Sequence, residues 1–258
     1  MRLRGLIGLL LFSLGTAGVV APLLYFYTSS QLPPMESELD IERLLRLDIE
    51  SERMRLKLSQ YDRDAVTVTF ERPDFSRLPK DLVGLYLSQR RCPAYFQTAR
   101  EEGAAWAWRM LVGLVSLEPG GEGGCERLFA LRLAKRLGAR GALQLSVGAH
   151  RIHSLLEKDQ LIAYDLFSMW FEPGWVGVDH LAHKLFKKRL ERLRLSELAE
   201  LMLALPPHNY YRQMRDCQNP TLLRQNRDSL LKDLSRDALV SEEQVRSAMA
   251  HPVACTMR

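Results

Sequence analysis

Several side chains in this sequence have types and spacings that could do chemistry. His150 and His153, and again His180 and His183, stand three apart, which places each pair on one helical face where a metal could bind if a third ligand converged. Asp179 is the nearest acid for that role. Satisfied structural histidines are the ordinary state of such pairs, and neither a metal nor a cofactor is expected. Ser146 precedes His150 by four, the spacing of a nucleophile and its base, but no acid or oxyanion-binding group accompanies it. The run Lys184, Lys187, Lys188, Arg189, Arg192 and Arg194 could meet a pyrophosphate or anionic lipid, while Leu185, Phe186, Leu190 and Leu193 form its buried side. Trp106, Trp108, Trp170, Phe171 and Trp175 are candidates to stack on sugars, with core packing the competing use.

The elements that must position these groups follow from composition and pattern. The chain has 258 residues, 47% hydrophobic and 26% charged, too apolar for disorder and enough for one main domain. A mean hydropathy of −0.17 excludes a polytopic transporter and leaves room for one span. The balance of 36 Lys+Arg against 31 Asp+Glu gives +5, which suits an anionic partner but is too mild for nucleic acid.

Residues 5–28 carry no charge and are long enough for a transmembrane helix, after a cytoplasmic tail of residues 1–4. Arg2 and Arg4 precede the span and only acids flank it beyond, so the N-terminus is expected in the cytoplasm and the main domain outside it, on the plasma (inner) membrane and in the periplasm. A cleaved signal peptide ending near Ala17 is the alternative, but the apolar run continues well past that point. Outside the cytoplasm, cysteines pair. Cys92, Cys125, Cys217 and Cys255 match no zinc or redox spacing, so a Cys92–Cys125 or Cys217–Cys255 bridge is expected, with four buried thiols the alternative.

Residues 29–75 read as a linker and a small β module. Leu45, Leu47 and Ile49, then Met54, Leu56 and Leu58, then Val66, Val68 and Phe70 alternate as strands do, although Ile41, Leu44, Leu45 and Leu47 would also fit an amphipathic helix. Residues 76–258 read as a mainly α domain, with helices expected over 80–89, 98–117, 125–137, 143–156, 158–170, 179–190, 196–204, 220–235 and 241–250. Ser196 and Ser241, each followed by acids, read as N-caps.

At this level the chain resembles the peptidoglycan glycosyltransferases, glycosyltransferase family 51, which polymerise lipid II into glycan strands. Leu78-Pro79-Lys-Asp-Leu-Val-Gly-Leu is similar to the approach to that family's first motif. Gly123-Gly124 with Leu131 resembles the frame of its second, and Lys158-Asp159-Gln-Leu-Ile-Ala-Tyr164 its lysine-aspartate-glutamate-isoleucine-leucine-x-x-tyrosine stretch. Gly177-Val178 through Ala182 to Phe186, Leu193 through Glu197 to Leu205-Pro206, Asn219-Pro220 and Arg227-Asp228 continue the likeness in the same order. It covers about residues 65–250 and implies a lysozyme-like transglycosylase fold.

The resemblance also implies a loss. Polymerisation needs a carboxylate to take a proton from the attacking sugar hydroxyl, and the family's first motif supplies a glutamate and an aspartate. Here those positions hold Ser88 and Gln89, and the second functional glutamate aligns with Leu145. None of the three titrates near neutrality. Substitute acids would have to come from Glu101, Glu102, Glu122 or Glu126. The expectation is therefore a membrane-anchored pseudoenzyme acting as a binding or scaffold subunit in cell-envelope assembly. Its partners would be membrane lipid, lipid II or glycan strands, or a cell-wall synthase or other envelope protein. Lys184, Lys187, Lys188, Arg189, Arg192 and Trp175 are its candidate binding residues. The alternatives are an active lipid II polymerase using a relocated carboxylate, and a purely structural adaptor.

Overall fold

The computed structural model describes residues 22–58, 72–100, 124–172, 175–205, 210, 214 and 216–254. Within them the chain is mainly helical. After helical residues 22–30 come α1 (Glu38–Leu58), α2 (Lys80–Gln89), α3 (Gly124–Arg136), α4 (Gly141–Leu155) and α5 (Lys158–Ser168). Strands β1 (Trp170–Glu172) and β2 (Trp175–Val176) then pair antiparallel, with Trp170 opposite Val176. The chain continues through α6 (Val178–Phe186), α7 (Leu195–Ala204), α8 (Pro220–Arg236) and α9 (Glu242–Ala250).

Two helices form the centre. Leu161 to Ser168 of α5 and Ser196 to Ala204 of α7 are buried at every position, so neither has a solvent face. Around them α3 packs on α4 and α5, while α2, α8, α9 and α6 pack on α7. Capping follows the sequence closely. Asn219 accepts from the Leu222 amide at 3.1 Å ahead of Pro220, and Ser241 accepts from the Gln244 amide at 3.2 Å. Ser196 is not a cap as expected; it lies buried inside the first turn of α7, and the Arg194 amide is met by Glu197 at 2.9 Å.

The expected β module gives way to helix α1 over residues 38–58; Val66, Val68 and Phe70 lie outside the described residues. Exposure shows why helix wins. Strand alternation would put Leu45, Leu47 and Ile49 on one face, yet Leu45 and Ile49 are 0% and 3% exposed and Leu47 is 52% exposed. The helical set Ile41, Leu45, Ile49 is the buried one, and each such side chain stabilises by about 1.5–3 kcal/mol. A start signal was present: Ser37 and Asp40 form a reciprocal cap, Asp40 accepting from the Ser37 amide at 2.9 Å and donating its own amide to the Ser37 hydroxyl at 3.3 Å. Asp40 also accepts from the Glu36 amide, and that bond first holds its carboxyl below the usual range.

Other boundaries shift by a few residues. The helix expected over 158–170 ends at Ser168, and Trp170 lies in a strand; the one expected to reach 190 ends at Phe186 because Lys187 is left-handed, with φ 56°. Residues 98–100 are not helical, and the rest of the expected 98–117 helix lies outside the described residues. Residues 1–21 of the expected tail and span also lie outside them; among the described residues no helix is long and apolar enough to cross a membrane.

The C-terminal helices close over a buried charge. Arg227 is fully buried on α8, pairing with Asp228 through Nε at 2.9 Å and Nη2 at 2.8 Å and with Glu200 at 3.3 Å. It also donates to the Met249 and His251 carbonyls at 3.2 Å and 2.9 Å, while the Ala254 amide donates to Glu200 at 3.0 Å. Burial dominates at Glu200, outweighing the Ala254 amide and Arg227, and raises its carboxyl to about 7.

Two predictions follow from this packing. Gly177 has φ 84°, and a Cβ there would meet the Phe167 carbonyl oxygen at 2.6 Å. Gly177→Ala should destabilise by roughly 2–3 kcal/mol in chemical denaturation, through backbone strain and the displaced carbonyl. Glu200 keeps its proton in the folded state at pH values where the unfolded state has lost it, so it withdraws stability as pH rises from the unfolded value of 4.5 to about 7. Glu200→Gln removes that titration. The stability difference between wild type and variant should therefore shift against wild type across this window; a constant difference would be evidence that Glu200 stays ionised.

Candidate functional site

The loop after α2, the first turn of α3, the end of α4 and the start of α5 come together around one acid. Cys92, after the end of α2, is bonded to Cys125 in the first turn of α3, with Cα atoms 6.0 Å apart across a separation of 33 residues. This bridge is one of the two expected, and closing a loop of that size stabilises by about 3–4 kcal/mol. Cys217 is also disulfide-bonded; Cys255 lies outside the described residues.

Beside Cys125, Glu126 enters the core at 3% exposure. It shares a helical stripe with Ala130 and Leu133, all three buried, so α3 turns its carboxylate inward with the apolar face. One oxygen is 2.7 Å from Nε2 of His153 on α4, and the other is 2.9 Å from Nζ of Lys158, the first residue of α5. Lys158 donates further to the carbonyls of Tyr95 and Thr98 at 2.7 Å and 2.6 Å, which uses its remaining protons. Tyr95 reciprocates by donating its hydroxyl to the Lys158 carbonyl at 3.0 Å, and its ring stands edge-on to Phe129, 5.4 Å away. Arg100 closes the cluster through the His153 and Leu156 carbonyls and through Glu157 at 2.6 Å.

These contacts decide the charges. Burial pushes the Glu126 carboxyl up, but the hydrogen bonds and positive charge of His153 and Lys158 outweigh it and hold the group below its usual value. Burial, reinforced by the Glu126 charge, pushes the Tyr95 phenol far up, so it stays neutral. A buried carboxylate held ionised by two partners is a poor general base, because its affinity for a proton is lowered and both oxygens are engaged.

A second buried group stacks behind it. Tyr86 of α2 donates its hydroxyl to Asp165 of α5, Arg132 lies 3.3 Å from the same carboxylate, and Arg136 donates to Ser168 at 3.0 Å. Burial lowers the Arg136 guanidinium to about 10, with Asp165 and Asp48 opposing the fall. Tyr86 stacks on Phe129 at 5.6 Å, so both polar clusters share one aromatic wall.

The other expected site residues scatter. The Ser88 hydroxyl donates to Asp237, and the Gln89 amide reaches the Met202 carbonyl at 3.5 Å, so both serve the packing of α2. Leu145 is half-buried on α4 against the core. Glu101, Glu102, Glu122, Trp106 and Trp108 lie outside the described residues. Ser146 bonds back to the Ala142 carbonyl at 2.9 Å, whereas His150 meets the Tyr25 hydroxyl at 3.2 Å, so no nucleophile–base pair forms between them. Asp179 pairs with Arg77 at 2.7 Å, and His180 is half-buried beside an exposed His183. In the basic run Lys188 pairs with Glu197 at 2.6 Å and Lys184 is half-buried, while Lys187, Arg189, Arg192 and Arg194 are exposed between α6 and α7. Trp175 lies in β2, which leads through Gly177 into α6. Trp170 donates to Asp48 at 3.4 Å.

Sequence reasoning missed His153 and Lys158 as partners of Glu126, and missed Asp165, Glu200 and Arg227 as buried charges. A readable signal existed. Asp165, Glu200 and Arg227 are each charged residues among buried apolar neighbours on their helices, as Arg227 is among Leu223, Leu231 and Leu234. No family model and no curated protein matches this chain.

The clamp makes a quantitative prediction. Lys158→Met leaves Glu126 buried with His153 alone and should cost about 3 kcal/mol; Glu126→Gln with Lys158→Met should cost clearly less than the sum of the single changes. Additive costs in the double-mutant cycle would show that the pair does not interact energetically.

Proposed function

We propose that this chain is a membrane-anchored, extracytoplasmic relative of the peptidoglycan glycosyltransferases that has lost catalysis and acts by binding within the cell-envelope machinery. The observation that carries the reading is the clamp on Glu126. Of the four acids that could replace the lost base it is the one among the described residues, and it is buried, ionised and engaged on both oxygens. Ser88 and Gln89 are committed to packing contacts, and Leu145 offers no polar atom.

Anchoring outside the cytoplasm is supported by two features. Disulfides persist in oxidising compartments, and among the described residues there is no free cysteine. Helical residues 22–30, the end of the uncharged stretch, expose Leu23, Leu24, Phe26 and Tyr27, side chains suited to the bilayer interface. The exposed cations Lys187, Arg189 and Arg192 suit an anionic ligand such as a lipid pyrophosphate or head group.

The test is lipid II polymerisation by the full-length protein in liposomes, with lipid II binding measured on the same sample. Binding without glycan product is the expected result. Glycan product would overturn the inactive reading and direct attention to Glu101, Glu102 and Glu122. Absence of both would point to a protein-binding adaptor.

A further inference from the structure

Helix α1 has a second face that no described residue of the chain covers. Opposite Ile41, Leu45 and Ile49 stand Leu39, Arg43, Arg46, Leu47, Glu50 and Met54, all exposed; Leu39 and Met54 keep 65% and 63% of their surface. Leu39, Arg43, Leu47, Glu50 and Met54 follow at helical steps of three and four, so they form one stripe along the axis. Several charges near this helix are paired, Arg72 with Glu38 and Glu42 and Arg55 with Glu52, whereas the exposed Arg46 has no hydrogen bond or ion pair among the described residues. Arg43 and Glu50 are in no hydrogen bond or ion pair among the described residues.

The stripe is complementary to its own reverse. Read forward it runs apolar, basic, apolar, acidic, apolar; read backward the base and acid exchange places. The pairs Leu39 with Met54 and Arg43 with Glu50 share one midpoint, between Arg46 and Leu47. A two-fold axis there sets Arg43 of each copy opposite Glu50 of the other, packs Leu39 on Met54 at both ends and brings the two Leu47 side chains together.

We propose that α1 is the contact of an antiparallel, two-fold symmetric homodimer of this chain. Isologous contacts require a self-complementary patch, and this one complements itself in both charge and apolar character. A lipid surface fits less well, because Glu50 within the stripe would be pressed unpaired against anionic head groups or hydrocarbon. A single helix pair buries less than the ~800 Å² per partner of a standard interface, so the contact is weak and depends on high local concentration. It does not rest on the reading of the helical domain as a glycosyltransferase relative.

Cysteine cross-linking of the full-length protein, reconstituted at high density in phosphatidylcholine vesicles and mildly oxidised with diamide, tests the geometry. Leu47→Cys should give a covalent dimer. Leu39→Cys mixed with Met54→Cys should cross-link, while each alone should not, since the two copies of residue 39 stand about 22 Å apart along the axis. Arg43→Glu or Glu50→Arg, each added to Leu47→Cys, should cut the dimer yield about tenfold, and both together should restore it. All five positions are exposed, so the buried face of α1 is left intact. The proposal fails if Leu47→Cys gives no dimer, if Leu39→Cys cross-links to itself as fast as the mixed pair, or if the charge swap does not restore the yield. Quenching of probes on these thiols by spin-labelled lipid, without a dimer, would assign the stripe to the membrane instead.

Discussion

A carboxylate buried on a helix must be met by positive charge or give up its own, and that constraint organises the middle of this protein. Glu126 can stay ionised in the core only because α4 brings His153 and α5 brings Lys158 to its two oxygens. Lys158 in turn fixes the loop after α2 through the carbonyls of Tyr95 and Thr98, and the adjacent disulfide fixes the same loop from its other side. Displacing any one of these segments would leave a charge or a donor unpaired in an apolar setting. The cluster specifies which helices are neighbours, and the apolar stripes supply most of the burial.

The same economy limits chemistry at this point. Proton transfer needs a group whose affinity for a proton lies near ambient pH and whose lone pairs can reach substrate. Glu126 has been stabilised in the opposite sense. Glu200, the acid whose environment does bring it towards neutrality, is sealed between Arg227 and the Ala254 amide. Perturbation of a carboxyl marks burial as readily as function, and here the two buried perturbed acids, Glu126 and Glu200, hold helices together.

Much of the helical order was legible in the sequence. The start and end of α2 and the start of α8 coincide with expectation, and α9 begins directly after its expected cap at Ser241, because Pro, Asn and Ser punctuate those points with little ambiguity. Residues 38–58 were misread because their apolar residues satisfy both a period of two and a period of 3.6; only the Ser37/Asp40 cap separates the two readings. The sequence pattern carries helix through Trp170 because no proline or glycine intervenes before Pro173. The pairing of Glu126 with His153 and Lys158 was not legible, since contacts between helices depend on how α3, α4 and α5 cross. Sequence spacing carries no record of that angle.

Arg227 joins one backbone carbonyl in the last turn of α9 and one just beyond it to the buried face of α8, and Glu200 holds an amide three residues further on. Terminal segments ordinarily fray with almost no free-energy cost, and their amides exchange with solvent at rates close to those of an unfolded chain. In this chain, opening residues 249–254 would strand a guanidinium and a carboxyl inside the core, so the segment belongs to the same cooperative unit as α7 and α8. Its amide protons should exchange together with theirs, on the slow timescale of subglobal unfolding.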